Sequence, residues 1–468
     1  MRLAGREIIV KLLQLVGSIV LARVLAPSTF GIFAIAYFAI NLFAVFSELG
    51  LGAALIRKPG DLGRHELEAV FTCQLAFILG LSSILFLVAP VFVLVYKVPN
   101  AVWVVRALSI ALFLTSLRTV PVVIAERRLA YGPIAVSDLS RHLTFWVVAV
   151  LLALAGFGVW SLVAAVIVSS GVGTAVLYAR TGWRPALRFE WRPIQESVRF
   201  GLTYQGQSAT HFAKDTIIPA LGGLLYGSVA VGYLTWAEQY AFVPLLLTGL
   251  VARVSYPALA RLQNDARAFA SMLESTLRWT CLLSFPLFAV MVGLAPQVIE
   301  LVYGSKWLPA LPSAYLLFLN MALGVGTGVL MPALYSMGRA STGLRISVGW
   351  MAATWLFALV FASLGVGFAA LAAAYALGTV LALAAIVLAV RRLGEIDIVG
   401  ATLLPVSGAG VIAIMLHLLA PLLVNDVASL VVLGAVAAIL GFGINLWGKR
   451  FVAFAAIKSL RTSSLGRL

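Results

Sequence analysis

Long apolar runs recur along nearly the whole of this 468-residue chain. An α-helix needs about 20 apolar residues to cross the hydrocarbon core of a bilayer. Charged residues, Gly and Pro delimit about 14 runs of this length. They lie at residues 6–25, 30–55, 69–95, 102–124, 133–155, 158–179, 199–222, 229–252, 277–302, 311–336, 343–363, 367–389, 400–420 and 428–447. The composition, 62% apolar and 11% charged, excludes a soluble globular protein.

These runs predict an all-α integral membrane protein with about 14 transmembrane helices. Backbone groups in hydrocarbon must form their hydrogen bonds within the protein, and the runs are too long for the strands of a barrel. The two cysteines, Cys73 and Cys281, lie inside apolar runs and form no disulfide or metal-ligand pattern. No metal or cofactor is therefore expected.

The distribution of positive charge predicts the orientation of the chain. Its formal charge is +16, from 33 Lys and Arg against 17 Asp and Glu. With a cytoplasmic N-terminus, nearly all basic loop residues lie on inner loops, and only Lys97, Arg106 and Lys306 fall at outer connections. Cytoplasmic loops of membrane proteins are enriched in Lys and Arg, so both termini are predicted to be cytoplasmic. Because the charge follows topology, nucleic acid is not expected as a partner.

The first six predicted helices resemble the next six. Four motifs recur in order: Thr72-Cys73 as Thr280-Cys281, Ala89-Pro90 as Ala295-Pro296, Pro121–Arg128 as Pro332–Arg339, and Gly156–Leu162 as Gly365–Leu371. Because six is an even number of spans, both halves begin on the same membrane face as parallel repeats. The predicted organisation is an N-lobe at 1–192, a C-lobe at 193–393 and two further helices with a tail at 394–468. Two such lobes suit alternating access around a central cavity; a scaffold role is the alternative.

Several segments carry a more specific signal. Near the N-terminus, Leu21–Phe33 reads LARVLAPSTFGIF and Glu48–Arg57 reads ELGLGAALIR. Further matching segments are Gly156–Trp160, Trp183–Pro185, Arg199–Gly201, Tyr256–Leu262 and Lys306-Trp307. In their order and spacing they resemble the Wzx-type polysaccharide repeat-unit flippases of the multidrug/oligosaccharidyl-lipid/polysaccharide exporter superfamily, over most of the chain. The chain departs from that pattern at Ala26 and in the Gly/Pro-rich stretch Lys214–Gly223, where the seventh helix is expected to break.

The resemblance implies a multi-pass protein of the bacterial inner membrane, in contact with the lipid bilayer. Its substrate would be an undecaprenyl-pyrophosphate-linked oligosaccharide, moved from the cytoplasmic to the outer leaflet for lipopolysaccharide or exopolysaccharide biosynthesis. It leaves open whether H⁺ or Na⁺ is coupled to transport, and whether polysaccharide polymerase or export proteins are partners.

Such a substrate brings about two negative charges on its pyrophosphate, which need cations and hydrogen-bond donors in a wet cavity. Arginine suits phosphate because its planar guanidinium group bonds two oxygens at once. The candidate cavity residues are polar residues inside or at the ends of the predicted helices: Arg23, Glu48, Arg57, Arg118, Gln205, Gln207, His211, Lys214, Asp215 and Glu238.

Several candidates keep a second interpretation. Arg23 contacts phosphate, extends to the membrane interface or pairs with Glu48. Arg57 captures the pyrophosphate at the cytoplasmic mouth or only helps to set the topology. Arg118 faces either the cavity or the bundle interior.

The seventh and eighth predicted helices hold the remaining candidates. Lys214 and Asp215 are helix neighbours about 100° apart, so a direct ion pair is not expected and one of them is expected to pair across the lobes. His211 either shares a proton with Asp215 or is a structural histidine. Glu238, within the polar and aromatic segment 235–240, either contacts sugar or packs in the interior. Tryptophans near span ends are predicted interface anchors: Trp103, Trp183, Trp191 and Trp307.

Two rival functions remain. A drug/cation antiporter of the same superfamily would need embedded acids, whereas the deep charges here are about balanced and the inner mouth is basic. An enzyme acting on lipid-linked sugars would need catalytic groups on sizeable outer loops, and the predicted outer loops are only a few residues long. No Gly-x-x-x-x-Gly-Lys-Ser/Thr loop is present in the sequence, so ATP is not the expected direct energy source.

Overall fold

The computed structural model describes residues 2–47, 62–98, 101–188 and 212–443, together with positions 52, 55, 56, 58 and 60. Every regular element within these residues is helical, which confirms the all-α prediction. Eleven helices of the described part are long and apolar enough to cross a membrane, and two shorter apolar helices accompany them.

The first helices are α1 (Arg2–Val24), α2 (Pro27–Ser47), α3 (Arg64–Val95), α4 (Val102–Ser116), α5 (Thr119–Arg127), α6 (Tyr131–Leu154) and α7 (Val159–Thr181). A π-helical turn at Ile218–Gly222 leads into α8 (Gly223–Phe242). The later helices are α9 (Leu246–Arg261), α10 (Ala266–Gly293), α11 (Ala295–Val298), α12 (Leu311–Ser336), α13 (Ala340–Ser363), α14 (Ala369–Arg391), α15 (Ile398–Leu423) and α16 (Val427–Gly443).

Three elements differ from the sequence-based boundaries. The predicted span 102–124 is two helices, α4 and α5. Helix α10 begins eleven residues before the predicted start at 277, because Asp265 caps it by accepting hydrogen bonds from the backbone amides of Arg267 and Ala268. The expected break at Pro219 is a π-helical turn instead, and the backbone leaves helical geometry at Gly227 (φ 78°, ψ 178°), a conformation that suits glycine.

The chain forms two compact units, residues 1–235 and 236–468. In the first unit α6 packs against α1 and α7, and α4 packs against α2, α3 and α7. In the second, α14 packs against α12 and α13, and α12 packs against α9 and α10. The sequence repeat relates α2, α3, α4, α6 and α7 to α9, α10, α12, α13 and α14, respectively. Four pairings therefore occur in both units: α2–α4 and α9–α12, α3–α4 and α10–α12, α4–α7 and α12–α14, and α6–α7 and α13–α14. The lobe boundaries at 192 and 393 stay predictions.

Candidate functional site

A helix break in the first unit exposes two backbone carbonyls to side chains of another helix. Pro121 has no N–H to donate to the Leu117 carbonyl, and the amide of Arg118 bonds Thr115 rather than Leu114. Both freed carbonyls accept hydrogen bonds from α7: Thr174 Oγ1 donates to the Leu114 oxygen at 3.0 Å, and the Tyr178 hydroxyl donates to the Leu117 oxygen at 2.9 Å. The break between α4 and α5 is therefore held open by side chains.

Arg118 lies at this break and pairs with an acid on α6. Its Nη2 is 2.7 Å from Asp138 Oδ1 and 3.2 Å from Ser137 Oγ. The Ser137 hydroxyl in turn donates to the Gly173 carbonyl on α7 at 2.6 Å. The Arg118 side chain is 11% exposed and that of Asp138 is 42% exposed, so one side of the pair is open at the surface of the unit. The interpretation of Arg118 as a deep residue is consistent with this burial.

A second arginine lies one turn further along α6. Arg141 follows Asp138 by three residues, so both lie on the same face of the helix. Gly173 makes room for it, because a Cβ at that position would be 3.1 Å from Arg141 Cβ. The Nε atoms of Arg118 and Arg141 are both buried, and neither has a hydrogen-bond acceptor among the described residues. We call Arg118, Ser137, Asp138 and Arg141 the polar centre.

Sequence reasoning missed Asp138 and Arg141. The available signal was two opposite charges, three residues apart, inside the predicted span 133–155. Charged residues within a membrane span are functional candidates because their insertion into hydrocarbon is costly. What the sequence did not reveal is that Asp138 pairs with Arg118 on another helix.

The positions of the second half that correspond to the polar centre carry other residue types. In the repeat register set by Pro121 and Pro332, Arg118 corresponds to Val329, which is 3% exposed in the core of the second unit. In the register set by Gly156 and Gly365, the positions of Asp138 and Arg141 are held by Ser347 and Trp350. The repeated bundle can thus be packed without these charges.

The other candidates that the structure describes lie elsewhere. Arg23 is exposed in the last turn of α1, where the helix dipole favours a cation. Lys214 Nζ is 2.6 Å from Asp215 Oδ1, so the prediction that these neighbours do not pair directly was wrong. The long lysine side chain reaches its neighbour where regular α-geometry ends ahead of the π-helical turn. Glu238 is half-buried in the second unit. Five candidates lie outside the described residues: Glu48, Arg57, Gln205, Gln207 and His211.

The aromatic residues around Glu238 pack in the interior of the second unit. Trp236 stacks on Trp307 at 5.1 Å and meets Tyr303 edge-on at 5.0 Å. Tyr240 contacts Phe318 and donates a hydrogen bond to the Met291 carbonyl. Trp307 is fully buried, so its prediction as an interface anchor was wrong. Burial of Trp236 and Tyr240 favours packing over sugar contact for this segment.

The other predicted anchors differ from Trp307. Trp103 is 62% exposed, as an interface anchor should be. Trp183 is half-buried and packs edge-on against Phe71 at 5.1 Å. Trp191 lies outside the described residues.

A profile of the family described as "Polysaccharide biosynthesis protein" matches residues 20–312. The succinoglycan biosynthesis transport protein ExoT of Rhizobium meliloti is 26% identical over 323 residues, which are 69% of this chain and 65% of that protein. The lipopolysaccharide biosynthesis protein WzxC of Escherichia coli is 22% identical over 312 residues, 65% of this chain and 62% of that protein. The matches thus span less than two thirds of these relatives.

Solved structures share the fold. The lipid II flippase MurJ in its inward closed conformation superposes with a TM-score of 0.80 at 14% identity, covering 96% of this chain and 99% of that chain. An inward-facing multidrug resistance transporter of the MATE family, in the MOP superfamily, superposes with a TM-score of 0.64 at 15% identity, over 82% of this chain and 94% of that chain. At these identities the likeness establishes the architecture alone.

Proposed function

Because the chain belongs to the polysaccharide biosynthesis protein family, whose profile covers residues 20–312, we propose that it flips lipid-linked oligosaccharide repeat units across the bacterial inner membrane. The proposed substrate is an oligosaccharide on undecaprenyl pyrophosphate, and the proposed mechanism is alternating access of two lobes around a cationic cavity. Both termini are proposed to be cytoplasmic, from the positive charge of the inner loops.

The polar centre is the observation that carries this proposal. Arg118 lies at the break between α4 and α5, and Asp138 and Arg141 lie in α6. Two arginines and one aspartate leave one positive charge in excess within the polar centre. An anionic headgroup supplies the missing negative charge, and guanidinium groups bond phosphate oxygens with good geometry. The names of ExoT and WzxC, which refer to succinoglycan transport and lipopolysaccharide biosynthesis, support a saccharide cargo.

A drug/cation antiporter is the alternative within the same superfamily, and a MATE transporter shares the fold. A cationic drug would need an acid that is free to bind it. Asp138 instead forms an ion pair with Arg118 at 2.7 Å. The excess charge in the polar centre is positive, and it would repel a cation.

Deletion of the gene tests the proposal. In a strain without paralogues, surface polysaccharide should be lost while lipid-linked repeat units accumulate inside the cell; unchanged surface sugar would contradict the function. Complementation with the double variant Arg118→Gln/Asp138→Asn should restore protein level, because both partners of the ion pair are neutralised together, but export should stay at least about tenfold lower. Arg180→Gln, which removes an exposed cation in the last turn of α7, is the matched control and should export normally.

A further inference from the structure

Arg141 lies deep in a predicted membrane span, where a charged side chain destabilises the folded protein. It lies ten residues after Tyr131 and thirteen before Leu154, which places it about 15 Å and 20 Å from the two ends of α6. This is the middle of a span of 24 residues. A charged side chain at such depth is costly and normally has a partner or lines a polar path.

The polar centre contains two arginines but only one acidic residue, so the charge of Arg141 is not balanced within it. Asp138 neutralises one guanidinium group, and its Oδ1 is 2.7 Å from Arg118. A buried charged donor without an acceptor destabilises the folded protein. The second half of the chain has Val329, Ser347 and Trp350 at the corresponding positions, so packing of the bundle does not require the second arginine.

We propose that Arg118 and Arg141 together bind a diphosphate group, and that Asp138 is a displaceable counter-ion that occupies Arg118 while the site is empty. This inference rests on the proposed function and names residues that hold the charged part of its substrate. Each guanidinium group bonds one phosphate of the diphosphate.

Asp138 gives the site a means of release. Its side chain is 42% exposed and sits on the same helix face as Arg141, so the carboxylate has room to move off Arg118 when the ligand arrives. While the ligand is bound, the carboxylate repels the diphosphate. When it returns to Arg118, it competes with the ligand. Transport needs this balance, since a site that binds too tightly would hold its cargo.

Binding to the purified full-length protein in nanodiscs tests the site, with farnesyl diphosphate and inorganic pyrophosphate as probes in titration calorimetry. Arg141→Gln should weaken the binding of farnesyl diphosphate about tenfold or more, because a charge-assisted bond is lost. Asp138→Asn should strengthen it severalfold, because the competing charge is gone. Arg180→Gln, the matched control on α7, should bind like the wild type.

The opposite signs of the two effects separate a binding role from a structural one. A structural role for the Arg118–Asp138 pair predicts that Asp138→Asn weakens binding, and that result would overturn the proposal. Unchanged binding by Arg141→Gln would also overturn it. Should Arg141→Gln not be recovered from membranes, Arg141→Lys keeps the charge but loses the two-point geometry; weaker binding supports the proposal and unchanged binding refutes it.

The two probes distinguish the source of the ligand. Arg141-dependent binding of both probes supports recognition of the diphosphate alone, and Arg141-dependent binding of farnesyl diphosphate only supports recognition of the lipid form. Lack of Arg141-dependence for both would overturn the site. If deletion abolishes export but Arg141→Gln binds the probes like the wild type, the site is refuted and the proposed function is retained. Normal export after deletion, with the expected binding pattern, refutes the function but keeps the site.

Discussion

At the scale of single residues, the polar atoms of the first unit are satisfied by partners far away in sequence. The carbonyl that Pro121 frees at Leu117 accepts from Tyr178, which is 61 residues away. Gln74, which is 2% exposed, donates to Thr119 Oγ1 at 2.7 Å just beyond the same break. Because an unbonded polar group in hydrocarbon is costly, these contacts determine where the helix is allowed to break.

Removal of one hydroxyl tests this account. Tyr178→Phe leaves the Leu117 carbonyl without its donor, and we expect the free energy of unfolding to fall by about 1–3 kcal/mol. The matched control is Tyr131→Phe, since Tyr131 is 58% exposed at the start of α6. Unfolding in mixed micelles measures both. Equal stability of the two variants would mean that the Leu117 carbonyl finds another donor.

At the scale of helices, small residues allow the backbones of α2 and the first part of α8 to lie very close together. A Cβ on Gly31 would overlap the Ser228 carbonyl, and a Cβ on Gly232 would overlap the Pro27 carbonyl. These reciprocal contacts bring two backbones together as small residues do at many membrane helix interfaces. Gly227, with its positive φ, directs the chain into this contact.

Substitution of these glycines should therefore be costly. Gly31→Ala forces the two backbones apart, and we expect a loss of about 1–3 kcal/mol in the free energy of unfolding. Gly80→Ala in α3 is the control, because its Cβ would meet nothing within 4 Å. There the change should stabilise the protein by up to about 1 kcal/mol, through helix propensity. A Gly31→Ala variant as stable as Gly80→Ala would contradict the close contact.

At the scale of the whole molecule, two halves that share four helix pairings have different interiors. The first unit holds a charged centre within its bundle, whereas the second unit holds the buried aromatic residues Trp236, Tyr240 and Trp307. The two halves thus share helix pairings but differ in the chemistry of their interiors. The proposed substrate site accordingly lies in the first half.

The predicted orientation is tested by labelling with a maleimide that does not cross membranes. Phe157, between α6 and α7, is exposed at a predicted outer connection, and Arg339 is exposed at a predicted inner one. In intact spheroplasts Phe157→Cys should be labelled and Arg339→Cys should not, whereas both should be labelled after permeabilisation. The wild type is the control, because Cys73 and Cys281 lie within α3 and α10. The reverse labelling pattern would show that the topology is opposite to the predicted one.

Helix type and most helix positions follow from the sequence by itself, because run length and apolar content are local properties that a bilayer selects directly. The polar pairings could not be obtained in this way. Lys214 and Asp215 were expected to separate, yet they pair where the helix departs from α-geometry. Trp307 was expected at the interface, yet it is buried against Trp236 from another helix.

The polar centre shows the same division. The sequence reveals that Arg118, Asp138 and Arg141 lie inside predicted spans. Only the tertiary structure decides that Asp138 on α6 pairs with Arg118 at the break between α4 and α5. It also decides that Gly173 on α7 makes room for Arg141. The reason is physical: hydrophobic patterning determines that a helix forms, but which side chains meet depends on the rotation and packing of helices that are distant along the chain.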